Sequence, residues 1–174
     1  MLLYGSMPEN DFLLRQKEQF PQLQLDTMGA VFRLLRTANL INKKYEEHFS
    51  QYDLTHAKFV VLSILQRSPD NTKNPAGIAR EMAISLKNVL RLLEGMEQRK
   101  LIRREQDTSD KRASIITITG EGKELFDLAS PGVIEICNDA MKSLSQNDKE
   151  ILSHMLQKIY ADLRCKDVKD APWW

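Results

Sequence analysis

Hydrogen-bond donors gather on one side of a helix that the sequence predicts from Ser85, its N-cap, to about Arg99. At 100° per residue, Lys87, Asn88 and Arg91 fall in one sector of this helix. The opposite sector, which predicts a core-facing stripe, contains Leu86, Val89, Leu92, Leu93 and Met96. Donors on the outward face can bind phosphate oxygens and base edges, so the pattern indicates non-covalent recognition of a nucleic acid. The alternative for each donor is an ordinary solvated helix face.

A charged segment, Gln106 to Arg112, separates two predicted strands. It is rich in Asp, Thr and Ser, so it must project into solvent or onto a ligand rather than enter a core. From Ser85 to Arg112 the chain has eight basic residues and five acidic ones, a surplus of three positive charges, whereas the whole chain carries +1. Such a surplus suits a partner rich in phosphates, although taken alone it also fits an ordinary solvated surface.

The sequence lacks the usual signatures of catalysis and metal binding. It has no Gly-rich phosphate loop and no nucleophile elbow. His48, His56 and His154 lack the spacing of helix-borne metal ligands, although His48 and His56 could converge around a loop. Cys137 and Cys165 form no CxxC pair. We therefore expect no enzyme activity, no metal site and no cofactor.

Composition limits the class of protein. With 42% hydrophobic and 28% charged residues, the chain of 174 residues is expected to fold as one core with an appendage rather than remain disordered. Its longest nearly apolar run, Phe59 to Leu65, is too short to cross a membrane, and the chain opens with no secretory leader. We therefore expect no membrane partner and a cytoplasmic protein.

Three helices are predicted ahead of the polar helix or leading into it. Apolar residues recur at three-to-four spacing from about residue 23 to Ser50, which predicts one long amphipathic helix. Thr55 is a suitable N-cap for a buried helix that ends before Pro69. Asn74 and Pro75 begin a short helix, because asparagine favours the N-cap and proline the first helical position.

Two strands and two helices are predicted after the polar helix. Residues 101–105 and 113–119 predict a β-hairpin. Residues 120–138 predict a long helix that Pro131-Gly132 should kink or interrupt, and a final amphipathic helix begins at Ser145. The first long helix and these last two carry more apolar surface than the middle of the chain needs, so we expect a homodimer.

The order of these elements resembles a known family. A helix, a short helix, a turn, a polar-faced helix and two strands around a charged tip make a winged helix-turn-helix. Residues 74–123 resemble the multiple-antibiotic-resistance regulator (MarR) family, whose wing tip reads Asp-x-Arg and whose next junction resembles Leu-Thr-x-x-Gly. The matching segments are Asp110-Lys111-Arg112-Ala113 and Ile116-Thr117-Ile118-Thr119-Gly120-Glu121-Gly122-Lys123. The flanking helices extend the resemblance over roughly residues 22–165. The expected fold is mainly α with a small β-hairpin wing.

The resemblance implies roles for the wing. It implies that Arg112 enters the minor groove of double-stranded DNA and that Asp110 positions Arg112 by a charge-assisted hydrogen bond, with Lys111 between them. We also assign Arg104 to the DNA-facing side of the wing. Successive strand residues point to opposite faces, so Arg103 is expected to pair within the protein.

The sequence departs from the family pattern at two places. Lys100 stands between the polar helix and the wing, where glycine is common in the family, so the local turn is open to question. Lys87 and Asn88 stand where serine or threonine is more usual, so the operator sequence cannot be taken from relatives. Asparagine can read adenine and arginine can read guanine in the major groove.

The resemblance also implies an effector site. Many relatives bind small amphipathic or phenolic acids in a cleft between the dimerisation helices and the DNA-binding domain. Arg33, Arg36, Tyr45 and Tyr52 are the residues of this chain that could supply a cation and an aromatic surface there. A packed seam between helices explains the same four residues.

The sequence suggests the following organisation. Residues 1–22 are an N-terminal extension in which Gly5-Ser6 before Met7 resembles a vector remnant. The dimerisation helices are residues 23–53 and 121–165, the winged helix-turn-helix is residues 54–120 and the tail is residues 166–174. The predicted function is a transcription repressor that binds a pseudo-palindromic operator as a homodimer and is released by a small ligand. The alternative is a winged-helix protein-interaction module without specific DNA binding.

Overall fold

The computed structural model describes residues 10–106 and 114–163 of the chain. Its elements in chain order are α1 (Asn10–Gln19), α2 (Leu25–Ser50), α3 (His56–Arg67), β1 (Thr72–Lys73), α4 (Pro75–Met82), α5 (Leu86–Gln98), β2 (Ile102–Gln106), β3 (Ser114–Ile118), α6 (Gly120–Met141) and α7 (Gln146–Leu163). The predicted fold class, mainly helical with a small sheet, is confirmed. The helix α1 lies in the N-terminal extension, for which the sequence analysis predicted no element.

The chain divides between Glu47 and His48 into two compact units. The first contains α1 and most of α2. The second contains the end of α2 and every later element. No helix among the described residues is long and apolar enough to span a membrane.

Three predicted N-caps set where the helices of the second unit begin. Thr55, Asn74 and Ser85 each accept a hydrogen bond from the backbone N–H three residues later, at 3.3, 2.7 and 3.3 Å. These bonds satisfy N–H groups that have no partner inside a helix, and so they fix the starts of α3, α4 and α5. The caps and the three helices that they begin are confirmed.

The sheet is antiparallel and has three strands in the order β1-β3-β2. In the predicted hairpin, Ile102 of β2 lies opposite Ile118 of β3. The two-residue strand β1 was not predicted. It pairs Thr72 with Thr117, and so joins the loop after α3 to the wing.

The core of the second unit lies where α3, α4, α5 and β3 meet. Its largest fully buried side chains are Phe49, Val61, Leu62, Ile64, Leu65, Ile78, Val89, Leu93, Met96 and Ile116. Aromatic contacts extend this core to α6, because the Phe59 ring lies 4.8 Å from that of Phe49 and 5.1 Å from that of Phe126.

The helix α6 runs without interruption through Pro131, so the predicted interruption is wrong. The helix is packed against another part of the chain next to the proline. The His48 ring lies against Gly132, which has no side chain to obstruct it, and its Nε2 is 2.9 Å from the Ala129 carbonyl oxygen. An interior proline removes one hydrogen bond of the helix, and the contacts of His48 lie beside the place where that bond is missing.

Candidate nucleic-acid interface

The turn between α4 and α5 sets the direction of the polar helix. Ala83 has a φ of 53°, in the left-handed region. The N–H of Ala83 donates to the Arg80 carbonyl and the N–H of Ile84 donates to the Ala79 carbonyl, both at 3.2 Å. These bonds close the last turn of α4 in the manner of a Schellman ending. Ser85 then begins α5 at once, so α4, this turn and α5 form the helix-turn-helix.

An ion-pair cluster holds α4 to the elements on either side. The Glu81 carboxylate, on α4, accepts a hydrogen bond of 2.6 Å from Arg67 at the end of α3 and pairs with Lys73 on β1. Partial burial raises the pKa of Glu81, but the hydrogen bonds and charges of Lys73 and Arg67 outweigh burial and lower the pKa below its ordinary value. The ionised carboxylate is therefore part of the folded helix-turn-helix.

The outward face of α5 carries the donors that the sequence placed there. Lys87, Asn88 and Arg91 are exposed, whereas Val89 and Leu93 on the opposite side are fully buried. From residue 87 to residue 91 a helix rises about 6 Å, which is close to two base-pair steps of about 3.4 Å. The three donors can therefore address neighbouring base pairs from one groove. Ser85 is also exposed and caps the helix at this end.

The sequence pattern did not identify two leucines beside this face as exposed residues. Leu86, predicted for the core, is 46% exposed, and Leu90 is 39% exposed. Leu86 occupies the first turn of α5, where no preceding helical turn covers it. Exposed leucine next to hydrogen-bond donors can contact the methyl group of thymine, which only the major groove presents. Periodicity alone gave no signal for this, since it places Leu86 among the core positions.

The two arginines of β2 both have partners in the protein. The Arg104 Nε lies 4.0 Å from a carboxylate oxygen of Glu97 on α5, and the Arg103 Nε lies 3.3 Å from one of Glu105. Arg104 thus lies next to α5, and its predicted contact with DNA stays a prediction. The other predicted wing residues, Asp110, Lys111 and Arg112, lie outside the described residues.

The junction between α5, the wing and α6 explains the lysine found where the family often has glycine. Lys100 has a φ of 58°, a conformation that glycine adopts without steric cost. The Lys100 carbonyl accepts a 2.6 Å hydrogen bond from the Thr119 hydroxyl, which in turn accepts one of 3.0 Å from the Gly122 N–H at the start of α6. The turn keeps the left-handed shape, with lysine in place of glycine.

The four candidate effector residues are spread along α2 and the turn after it. Arg33 and Arg36 are exposed, and Tyr45 and Tyr52 are half-buried. The Arg33 guanidinium lies over Gly29 of the same helix. Twelve residues separate Arg33 from Tyr45, which is about 18 Å along a helix axis. Arg33, Arg36 and Tyr45, which belong to the first unit, are therefore spread along the helix rather than clustered around one point.

A mainly apolar groove of about 640 Å³ lies in the first unit, between α1 and the beginning of α2. Its lining residues are Gln16, Phe20, Gln22, Leu23, Gln24, Thr27, Met28, Val31 and Phe32. None of the four candidate effector residues is among them. In the described part of the chain, no three His, Cys, Asp or Glu side chains lie close enough together to hold a metal ion.

Comparison with known proteins decides the family. The MarR family model matches residues 54–114. The HTH-type transcriptional regulator MgrA of Staphylococcus aureus is 32% identical over 130 residues, which are 74% of this chain and 85% of MgrA. The chain belongs to the MarR family. The HTH-type transcriptional repressor YetL of Bacillus subtilis is a further relative, 22% identical over 90% of this chain and 94% of YetL.

A solved MarR-family structure shows the same fold. Sco3205 of Streptomyces coelicolor, crystallised in complex with DNA, superposes with a TM-score of 0.78 over 87% of this chain and 98% of Sco3205, at 20% identity. In this fold α4 and α5 are the helix-turn-helix, and β2 and β3 are the wing. The predicted family and the predicted winged helix-turn-helix are thus confirmed.

Proposed function

We propose that this MarR-family chain is a transcription regulator that binds double-stranded DNA in a sequence-specific manner, with α5 in the major groove. The main support for the proposal is the set of hydrogen-bond donors on the outward face of α5. Lys87, Asn88 and Arg91 stand exposed within little more than one turn, on a helix whose start is fixed by the Ser85 cap. A recognition helix uses the residues at its N-terminal end to contact base edges. The family relatives MgrA and YetL, both named for transcriptional control, support the same function.

The wing is the second contact in this proposal. Arg112 enters the minor groove, Asp110 orients its guanidinium, and Lys111 and Arg104 bind phosphates on either side. A guanidinium suits a narrow and strongly negative minor groove, and an acid two residues away reduces the freedom that it loses on binding. The family resemblance implies the roles of Arg112 and Asp110, whereas those of Lys111 and Arg104 are proposed from their charge and their place in the wing sequence.

Homodimerisation is proposed because several helices leave apolar side chains uncovered. On α2, Val31, Leu35 and Leu40 are between 46% and 56% exposed. On α7 none of the described side chains is buried, and Met155 and Ile159 are 56% and 43% exposed. Uncovered apolar surface of this extent is typical of an interface between subunits. Residues 23–53 and 121–165 are thus the proposed dimerisation regions, and residues 54–120 the proposed DNA-binding region.

The DNA-binding regions of two subunits suit a pseudo-palindromic operator with half-sites about 34 Å apart. We propose that the regulator acts as a cytoplasmic repressor, as the name of YetL suggests for that relative. A small amphipathic or phenolic acid releases the DNA if it binds better when the DNA-binding regions leave this spacing. Such a ligand lowers DNA affinity by the ratio of its affinities for the two states.

The direct test is binding of the purified chain to the DNA that flanks its gene, measured by fluorescence anisotropy at roughly 50 and 200 mM salt. We expect affinity to fall at least about 100-fold between these conditions, because bound lysines and arginines release counterions from the phosphates. Arg91→Ala and Arg112→Ala are each expected to weaken binding about tenfold or more. Arg15→Ala is the control, since it removes the same charge from an exposed position on α1, outside the proposed DNA-binding and dimerisation regions.

The result of this binding experiment distinguishes a DNA-binding regulator from a protein-interaction module. Salt-sensitive binding that Arg91→Ala weakens and Arg15→Ala does not supports the proposal. Absence of binding at low salt, or binding that is insensitive to salt, contradicts it and favours a protein-interaction module.

A further inference from the structure

Arg99, the C-cap residue of α5, reaches across to the chain segment that leaves α2. Its guanidinium donates to the Asp53 carbonyl and, at 3.3 Å, to the Tyr52 carbonyl. A guanidinium nitrogen also lies 3.6 Å from the Asp53 carboxylate. One side chain therefore joins the end of the recognition helix to two successive backbone carbonyls 46 and 47 residues earlier.

The shape of the turn after α2 explains why an arginine is needed there. Asp53 has a φ of 49°, so the chain reverses sharply before the buried Leu54. Carbonyls at the end of a helix have no partner within the helix and favour a positive charge. The planar fork of arginine can donate to two carbonyls at once, whereas the ammonium of lysine is a point charge. The Arg99 side chain is 30% exposed, whereas the Asp53 side chain is 92% exposed, so the carbonyls rather than the carboxylate are the more sheltered partners of Arg99.

The two residues after Arg99 connect the recognition helix to the rest of the second unit. The Leu101 N–H donates to the Met96 carbonyl at 3.0 Å, and the Leu101 carbonyl accepts from the Thr119 N–H at 3.1 Å. The wing and the start of α6 are thus held at the same point of the chain. Movement of Arg99 would alter the position of both DNA-contacting elements.

We propose that Arg99 is a positioning residue for operator binding, which holds α5 and the wing against the segment following α2 in the orientation that an operator requires. The inference rests on the proposed DNA-binding function. It gives Arg99 a role different from that of Lys87 and Arg91, because its guanidinium donates to backbone carbonyls within the protein.

The test uses Arg99→Lys, which keeps the charge and loses the fork, in the full-length protein. Affinity is measured for the operator and for an unrelated duplex across a salt series. We expect operator affinity to fall about tenfold, while affinity for the unrelated duplex and the slope of log K against log[salt] stay unchanged. In the same series Arg91→Ala, which removes a candidate DNA contact, should lower the slope by about 0.9 if Arg91 contacts a phosphate.

Two further variants keep the test decisive. Asp53→Gly retains the carbonyls and suits the positive φ, so we expect operator affinity within twofold of the wild type. Arg99→Gln removes the charge as well, and should lose at least as much operator affinity as Arg99→Lys. Circular dichroism verifies that each variant is folded at the temperature of the binding assay.

Three results would overturn the proposal. Arg99→Lys could bind the operator as tightly as the wild type, or Arg99→Gln could reduce the salt slope as a phosphate contact would. Alternatively, Asp53→Gly could cost as much as Arg99→Lys, which would assign the effect to the carboxylate rather than to the carbonyls. Failure of the proposed function is distinguishable from all three, because the wild-type chain itself would then show no preference for the operator.

Discussion

The side chains around the start of α5 determine which bases the DNA-binding region can distinguish. The donors Lys87, Asn88 and Arg91 are accompanied by Leu90, which is 39% exposed. A leucine in this position contributes apolar contact, and thymine alone offers a methyl group in the major groove. Recognition by α5 is therefore expected to combine hydrogen bonds with at least one methyl contact.

The first prediction concerns Leu90→Ala. Replacing thymine by deoxyuridine at single operator positions removes only the methyl group, and at one position or more it should weaken wild-type binding about five-fold. The same replacement should leave binding of Leu90→Ala unchanged, because the contact is already absent. Competition binding on a set of substituted operators measures both effects. Leu90 makes no methyl contact if the base replacement weakens binding at no operator position, or if it weakens binding of the wild type and of Leu90→Ala equally.

Sequence reasoning located the candidate contacts that depend on helix periodicity and could not locate those that depend on tertiary partners. The 100° repeat placed Lys87 and Arg91 on the outward face. It misplaced Leu86, because periodicity does not reveal that the first turn of a helix lacks a covering neighbour. Arg99 looked like any other cation of the region, since its partner carbonyls lie 46 and 47 residues away.

Two glycines at the start of α6 show how local packing fixes the wing. A Cβ on Gly122 would overlap the Leu101 carbonyl oxygen and lie 2.8 Å from Ile118 Cγ1, whereas a Cβ on Gly120 would meet nothing within 4 Å. Close approach of α6 to the wing therefore requires glycine at position 122 only.

The second prediction follows from this pair. Gly122→Ala should lower the free energy of unfolding by about 3 kcal/mol, because the methyl group meets backbone that cannot move aside. Gly120→Ala, the matched control, should change it by less than about 1 kcal/mol. Urea unfolding monitored by circular dichroism measures both. Equal effects of the two variants would show that the approach of α6 to Leu101 is not tight.

The third prediction concerns Glu81, which links α4 to α3 and β1. Its pKa is lowered on folding from an ordinary value of 4.5, so its contribution to stability is present above that value and is lost as pH falls through the folded pKa. Glu81→Gln should therefore reduce stability at pH 7 by about 1 kcal/mol and flatten the loss of stability as the pH falls below about 5. Glu124→Gln, an exposed glutamate on α6, is the control. Urea unfolding across this pH range tests the prediction, and an unchanged pH profile would contradict it.

The elements themselves were largely predictable, for identifiable physical reasons. The caps at Thr55, Asn74 and Ser85 depend only on residues close together in the chain, so the sequence alone reveals them. The strand β1 has two residues and depends on pairing with β3, so no pattern within it could predict it. The helix α6 continues through Pro131, and the contacts of His48 beside this proline come from another part of the chain, so no local pattern could predict them.

At the scale of the whole molecule, the proposed dimer makes the fourth prediction. Ile159→Glu places a charge in the uncovered apolar face of α7, and burying it would cost several kcal/mol. We expect the variant to be monomeric and its operator affinity to fall at least about 100-fold, because one half-site is then bound at a time. Gln157→Glu adds the same charge at another exposed position of α7 and should remain dimeric. Sedimentation velocity measures the oligomeric state of each variant. If Ile159→Glu is still a dimer, the interface lies on other surfaces.

The central claim is that two copies of this chain present two α5 helices to adjacent major grooves. A hydroxyl-radical footprint on the DNA flanking its gene tests this most directly. We expect two protected regions related by two-fold symmetry, with centres about 10 base pairs apart or a multiple of that. A single protected patch, or no protection by folded protein at low salt, would contradict it.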